Sequence, residues 1–378
     1  MNIKIDKKDD IILKILHYFI TEEDYKPIII NGVDGEIWLE NMQSDLKLIR
    51  INSNYIHNEE QLKSDTFKVK AIMKSIKKST LSLKMNMLNL LMDAGEAVKI
   101  TDNKNIETIK VEKITDFKKN KVVEEFFPKV KDAVLNEEMD PTEFFKLTED
   151  MNQTTIKNEK KLAKIFSPKK PVITYILIVL NVMIFLYTML YDQNDRLFYE
   201  LANNYVYVQN GEIYRLFTSM FLHADIMHIA FNMYALYLLG PIVERYYGKT
   251  KFILIYFISG ILGSLFSCVF MSSSTFAIGA SGAIFGLLGS IAYFTYYYRA
   301  TLQGLLRSQI LPVILINLGL GLFIPGIDVS AHIGGLIGGI LTSMAIGIGD
   351  KGRKNDQING IVVILAMIGF MLYMTFTK

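Results

Sequence analysis

The sequence predicts an all-α polytopic membrane helix bundle with a small α/β soluble domain at its N-terminal end. Two observations predict it. Residues 1–170 hold 30 of the 41 Lys and Arg residues and 29 of the 38 Asp and Glu residues. Residues 171–378 instead carry seven apolar stretches, each close to the ~20 residues that a ~30 Å hydrocarbon core requires. One large globular domain and a disordered chain are both excluded by that split. Charge is nearly balanced in each part, so nothing calls for a nucleic acid partner. The single cysteine, Cys268, excludes an intramolecular disulfide and a cysteine-based zinc cluster.

The soluble domain is expected over residues 1–140. MNIKIDKKDD has no apolar h-region, so no cleavable signal peptide is expected. The first long apolar run, near Pro171, would then act as the internal membrane signal. Apolar spacing predicts a helix over 11–20. Strands follow at 26–31, 36–40 and 46–52, parted by the turn signals Asn31-Gly32 and Asp34-Gly35. Residues 61–78 read as a helix, and 97–101 and 108–113 as two strands. Residues 117–135 and 142–166 read as helical, with Pro141 suited to a first turn. Residues 141–170 form a charged helical connector. His17 and His57 are isolated and read as ordinary histidines rather than ligands. This part shows no catalytic motif.

The apolar stretches lie near 171–191, 226–243, 252–271, 281–298, 306–324, 331–348 and 358–376. Lys160, Lys161, Lys164, Lys169 and Lys170 precede the first. Arg245, Lys249 and Lys251 follow the second, Arg299 and Arg307 the fourth, and Lys351, Arg353 and Lys354 the sixth. The positive-inside rule therefore expects a cytoplasmic N-terminal domain and an outer C-terminus in a plasma membrane. The starts of the second, fourth and sixth stretches then share the outer side.

Polar residues collect at those three starts, where each is a functional candidate. Ser281, within Gly279-Ala280-Ser281-Gly282, opens a helix. It reads either as a plain N-cap or as a nucleophile whose oxyanion would meet unpaired N–H groups and the positive end of the helix dipole. The tetrapeptide is not GxSxG, because position 283 is Ala. His332, within Ala331-His332-Ile333-Gly334-Gly335, heads the sixth stretch. Gly335 and Gly339 lie one turn apart there, as Gly282 and Gly286 do on the fourth. Such small-residue faces let helices approach closely, which would bring His332 to Ser281 and supply the base a hydroxyl needs. Asp328 reads as structural, so the unit is a dyad rather than a triad.

His228 and Asn232, four apart, share a helix face and could both donate to an oxyanion. His223 lies five before His228, off that face. Ala224 stands where a zincin would have Glu, so no metal site is expected. Phe285 is one turn after Ser281 and could flank His332.

Together these clusters resemble the rhomboid family of intramembrane serine proteases, over roughly residues 171–350. The resemblance runs through Gly211-Glu212-Ile213-Tyr214-Arg215-Leu216, His223, His228 and Asn232, Gly240-Pro241-Ile242-Val243-Glu244, the GASG at 279–282 and the AHIGG at 331–335. It implies a six-helix core at 171–350, with 351–378 as an additional seventh helix. It implies Ser281 as nucleophile and His332 as general base and then acid. His228, Asn232 and the Ser281 backbone N–H would form the oxyanion site, with His223 and Arg215 ordering the first outer loop. Substrates would be membrane-spanning segments cleaved near the outer boundary, without a cofactor. The family often has Trp-Arg where this chain has Tyr214-Arg215, and Tyr where it has Phe285. The aromatics of the loop 192–217 are expected to dip into the outer leaflet.

The alternative is a non-proteolytic relative that binds membrane proteins in quality control. A transporter would be expected to show an internal repeat, and none is visible. The soluble domain reads either as an adaptor for a cytoplasmic protein or as a sensor of the membrane site. Activity that depends on a neutral His332 should fall on acidification, near ~6.5 for an unshifted imidazole.

Overall fold

The computed structural model describes residues 6–96, 98–100, 103–133, 141–167, 170–192, 195–299, 301–302, 304–348 and 354–377. It divides into two compact units, Met1–Lys164 and Ile165–Lys378.

In the first unit, helix α1 (Lys7–His17) runs on as a π turn, Tyr18–Glu22. Five strands follow: β1 (Lys26–Ile28), β2 (Glu36–Glu40), β3 (Leu48–Asn52), β4 (Met87–Leu91) and β5 (Ile106–Lys110). They lie in the order β1-β2-β3-β4-β5, antiparallel as far as β3 and parallel from there. Helix α2 (Glu59–Ser79) carries the chain from β3 to β4, as a parallel pairing requires. Asn58 caps α2 by accepting from the Gln61 N–H at 2.9 Å. Glu59 and Glu60 sit in its first turn and Lys77 and Lys78 in its last, matching the helix dipole.

The sheet's two faces differ. Leu39, Ile49, Ile51, Leu88, Leu90 and Ile109 join the rings of Phe19, Phe117 and Phe127 in one apolar core. The opposite face carries Trp38, Arg50, Asn89 and Thr108 in register across four strands. Arg50 is fully buried there, bidentate to Asp65 of α2 at 2.6 and 2.7 Å and bonded to Glu36 at 2.8 Å and Asn89 at 3.0 Å.

Several expectations change in this unit. Strand β4 lies where none was expected. It is fully buried between parallel neighbours, so it lacks the alternation that marks a half-exposed strand. The strand expected at 97–101 is not one: 98–100 are irregular, and 97 and 101 lie outside the described residues. The last strand runs Ile106–Lys110, earlier than expected. The helix expected over 117–135 is broken into α3 (Ile114–Lys118), α4 (Lys121–Phe126) and a 3₁₀ turn at Pro128–Lys131, its end lying outside the described residues. Asn120 forces one break by capping α4, accepting from Val122 N–H at 3.0 Å, and Pro128 the other. Helix α5 (Pro141–Phe166) is continuous.

The second unit is helical: α6 (Ile173–Tyr191), α7 (Arg196–Leu201), α8 (Tyr205–Gln209), α9 (Arg215–Thr218), α10 (Ile226–Tyr247), α11 (Lys249–Phe270), α12 (Ser281–Tyr297), α13 (Leu311–Phe323), α14 (Val329–Ile346) and α15 (Lys354–Thr377). Six helical segments among the described residues are long and apolar enough to span a membrane: α6, α10, α11, α14, α15 and Leu306–Phe323, which contains α13. The chain is a multi-pass membrane protein. The fourth expected stretch, α12, has 17 residues and is almost wholly buried by its neighbours.

Helices α11, α12 and α14 pack through glycine. A Cβ at Gly335 would overlap the Gly282 carbonyl, and one at Gly339 the Gly286 carbonyl. Dispersion between two backbones thus replaces the hydrophobic drive that lipid does not supply. At the other end of α10, the buried Glu244 closes the start of α6. Its carboxylate accepts the N–H groups of Val172, Ile173 and Thr174 at 2.7–2.9 Å and the Thr174 hydroxyl at 2.8 Å. Those amides have no partner within α6 itself.

Candidate active site

The loop ahead of α12 brings Ser281 to a helix start. Gly279 holds φ +115°, where an L side chain is strained, and its N–H donates to Ser219 O at 2.9 Å. Ser281 is half-buried at the first position of α12.

Helix α10 is started by Asp225, which accepts the His228 N–H at 2.8 Å. That cap aims the first turn at Gly279. A Cβ there would come within 2.7 Å of His228 Nε2 and 3.9 Å of Asn232 Nδ2. Asn232 is buried and donates to the His228 carbonyl at 2.9 Å. His223 lies before the helix, edge-on to the His228 ring at 5.1 Å between centroids. Burial, with the His228 ring beside it, pulls His223 down to about 4, so it is neutral at pH 7.

Asp328 is the N-cap of α14, accepting the Ala331 N–H at 3.0 Å and the Ser330 hydroxyl. Both bonds are made by Oδ1, and Oδ2 is buried without a hydrogen-bond partner among the described residues. His332 is buried in the first turn that follows. Phe285 lies flat on its imidazole, 4.1 Å between centroids and 16° between planes. Gly282 and Ala331, the neighbours of Ser281 and His332, meet across α12 and α14: a Cβ on Gly282 would stand 3.5 Å from the Ala331 carbonyl. Ser281, His332, Phe285, His228 and Asn232 therefore gather around one helix start, from three helices.

Arg215 lies apart from that group, inside the loop between α6 and α10. It donates to Glu212 at 2.7 Å and to the Tyr199 and Ala202 carbonyls at 2.7 and 2.9 Å, and stacks on Tyr207 at 4.4 Å. The loop is tied to the serine segment by residues the sequence did not single out. Asn203 and Ala277 exchange backbone hydrogen bonds at 3.0 and 2.8 Å. The Asn204 side chain donates to the Ser273 and Thr275 carbonyls. Phe276 receives the rings of Phe198, Tyr199 and Tyr207 at 5.4–6.1 Å. The loop's aromatics are thus partly engaged by the protein itself, although Tyr199, Tyr214 and Phe217 also keep large exposed areas. Of this, the sequence shows only the density of aromatics in the loop.

The family profile for the rhomboid domain matches residues 210–348. The chain is 38% identical to the rhomboid protease GluP of Bacillus subtilis (strain 168) over 57% of its own length and 43% of GluP. It is 37% identical to YdcA of the same organism, over 46% of this chain and 87% of YdcA. With the rhomboid protease AarA of Providencia stuartii it shares 30% identity, over 55% and 84% of the two chains. It spans under half of GluP but most of YdcA and AarA. With that coverage, and with a helical membrane core that carries the GASG and AHIGG segments in contact, the chain belongs to the rhomboid family.

Proposed function

We propose that the chain is an intramembrane serine endopeptidase that cleaves transmembrane segments near the outer membrane boundary. The observation that carries this reading is the gathering of Ser281, Phe285-stacked His332, His228 and Asn232 at the start of α12. The names of the relatives GluP and AarA support it.

In this mechanism the His332 imidazole takes the Ser281 proton as Oγ attacks the scissile carbonyl. Phe285 lies flat on the ring and orients it, and Asp328 caps α14 through its Oδ1. The oxyanion is met by the Ser281 backbone N–H, by His228 and by Asn232. Protonated His332 then returns its proton to the leaving amine, and water repeats the cycle on the acyl-enzyme. A helix shields its own peptide bonds, so the substrate must unwind locally. Arg215 and His223 support the site by ordering the outer loop and the entry to α10. The lysine and arginine distribution supports a cytoplasmic N-terminus and an outer C-terminus.

The test uses purified protein in liposomes with a fluorophosphonate probe and a single-span substrate. Labelling at Ser281 that requires His332, with cleavage lost in Ser281→Ala and His332→Ala, is the expected result. Folded protein that neither labels nor cleaves would favour the non-proteolytic membrane-protein binder. Cleavage that survives Ser281→Ala would sink the dyad.

A further inference from the structure

Helix α2 has a face that the fold does not use. Leu62, Val69 and Met73 are buried against the sheet side. At 100° per residue, Lys63, Phe67, Lys70, Lys74 and Lys78 form one stripe centred about 120° round the helix from them. All five are exposed. Phe67 is 78% exposed in the middle of the lysines. Among the described residues, Lys63, Lys74 and Lys78 form no ion pair. Lys70 has only a neutral partner, the Asn103 side-chain oxygen at 2.9 Å. The acidic side chain on α2 that could offset them, Asp65, is turned inward and engaged by Arg50. Glu59 and Glu60 are confined to the first turn.

A solvated lysine face needs no aromatic. A ring held out in water between ammonium groups is the pattern of an interfacial helix, with lysines for anionic headgroups and a ring for the acyl boundary. We infer that this face of α2 is a docking surface for an anionic lipid leaflet. Charge complementarity selects that occupant, and the chain's own tether favours it. The soluble unit leads through α5 into α6, a span, so a bilayer is always at high local concentration. The connector itself carries Lys160, Lys161, Lys164, Lys169 and Lys170 next to the span. A duplex nucleic acid would satisfy the lysines but would leave Phe67 unused.

The full chain suits a fluorescence test, because its one tryptophan, Trp38, is buried. Phe67→Trp would add a second, exposed reporter. It would be reconstituted into liposomes whose phosphatidylcholine is brominated, with or without phosphatidylglycerol at about one third of the lipid. Symmetric liposomes present the same lipid whichever way the chain inserts. The expected result is quenching of the introduced indole at least threefold stronger with phosphatidylglycerol. It should be reversed at about 1 M salt, where the Debye length is about 3 Å. It should also return to the zwitterionic level when Lys63→Gln, Lys70→Gln, Lys74→Gln and Lys78→Gln are added together, exposed changes that leave the fold alone. Equal quenching in both lipids, or none with α2 intact by hydrogen exchange, would overturn the inference. So would a response of the same indole to duplex DNA that anionic liposomes fail to compete away. None of these outcomes depends on proteolysis.

Discussion

Gly279 answers two demands at once. Its φ of +115° lies where an L side chain is strained, and the space a Cβ would need is held by the His228 ring. Gly279→Ala must therefore twist the serine segment, push His228 away, or both. We expect at least a tenfold loss of kcat with little change in thermal stability, because half-exposed loop positions can yield locally. Phe285 poses a complementary question. The ring stacks on His332 and has no hydroxyl to contribute, so its effect on the imidazole is orientational. Phe285→Tyr should keep activity within about threefold. Phe285→Ala should lower kcat by roughly 10–100-fold and leave KM nearly unchanged, the mark of a positioning group. Steady-state cleavage of a model substrate separates the two. The residues of this site were legible because costly polar groups in apolar stretches stand out. Asn203, Asn204 and Phe276 were not. They act through carbonyls and rings distant in sequence, and their residue types are ordinary for a loop.

Among the elements, α6 and α10 depend on one carboxylate. Glu244 satisfies three amides at the α6 start that the helix cannot satisfy itself. Charge-assisted hydrogen bonds contribute about 1.5–3 kcal/mol each, so Glu244→Ala should destabilise the membrane unit by several kcal/mol. Glu244→Gln keeps an acceptor oxygen and should lose less. Thermal unfolding in detergent, with hydrogen exchange at 172–176 as the local readout, ranks the three proteins. The sequence showed Glu244 only as a member of a family-like segment; its partner, 72 positions away, follows no local pattern. Helix existence was easier to read than strand existence. Continuous apolar stretches of about 20 residues fit a membrane-spanning helix and not a barrel strand, whereas β4 could be recognised only through its neighbours β3 and β5.

At the scale of the whole molecule, the N-terminal unit carries an acid-sensitive carboxylate in its interior. Burial alone would raise the Glu36 carboxyl, but hydrogen bonds from Arg50, Lys68 and Trp38 outweigh it and hold it at about 2. A depressed carboxyl contributes stability that is present above the ordinary carboxylate range and lost as pH falls toward 2. Acid should therefore loosen the N-terminal unit. Hydrogen-exchange protection factors across β2 and β3 should fall between about pH 4.5 and 2. Glu36→Gln should start less protected and show a flatter acid limb. The division into a charged half and an apolar half was plain from composition. The interior of the charged half was harder, because Arg50 is buried completely and a lone arginine in a strand reads as surface.

The Glu244 carboxylate also imposes an order on biosynthesis. It follows Val172 by 72 residues, and a ribosome adding about 5–20 residues each second needs several seconds to supply it. During that interval the amides at the α6 start must be hydrated or held by the insertion machinery. Helix α6 is thus unfinished until α10 arrives, and a chain stalled between them would expose a half-made membrane segment to degradation.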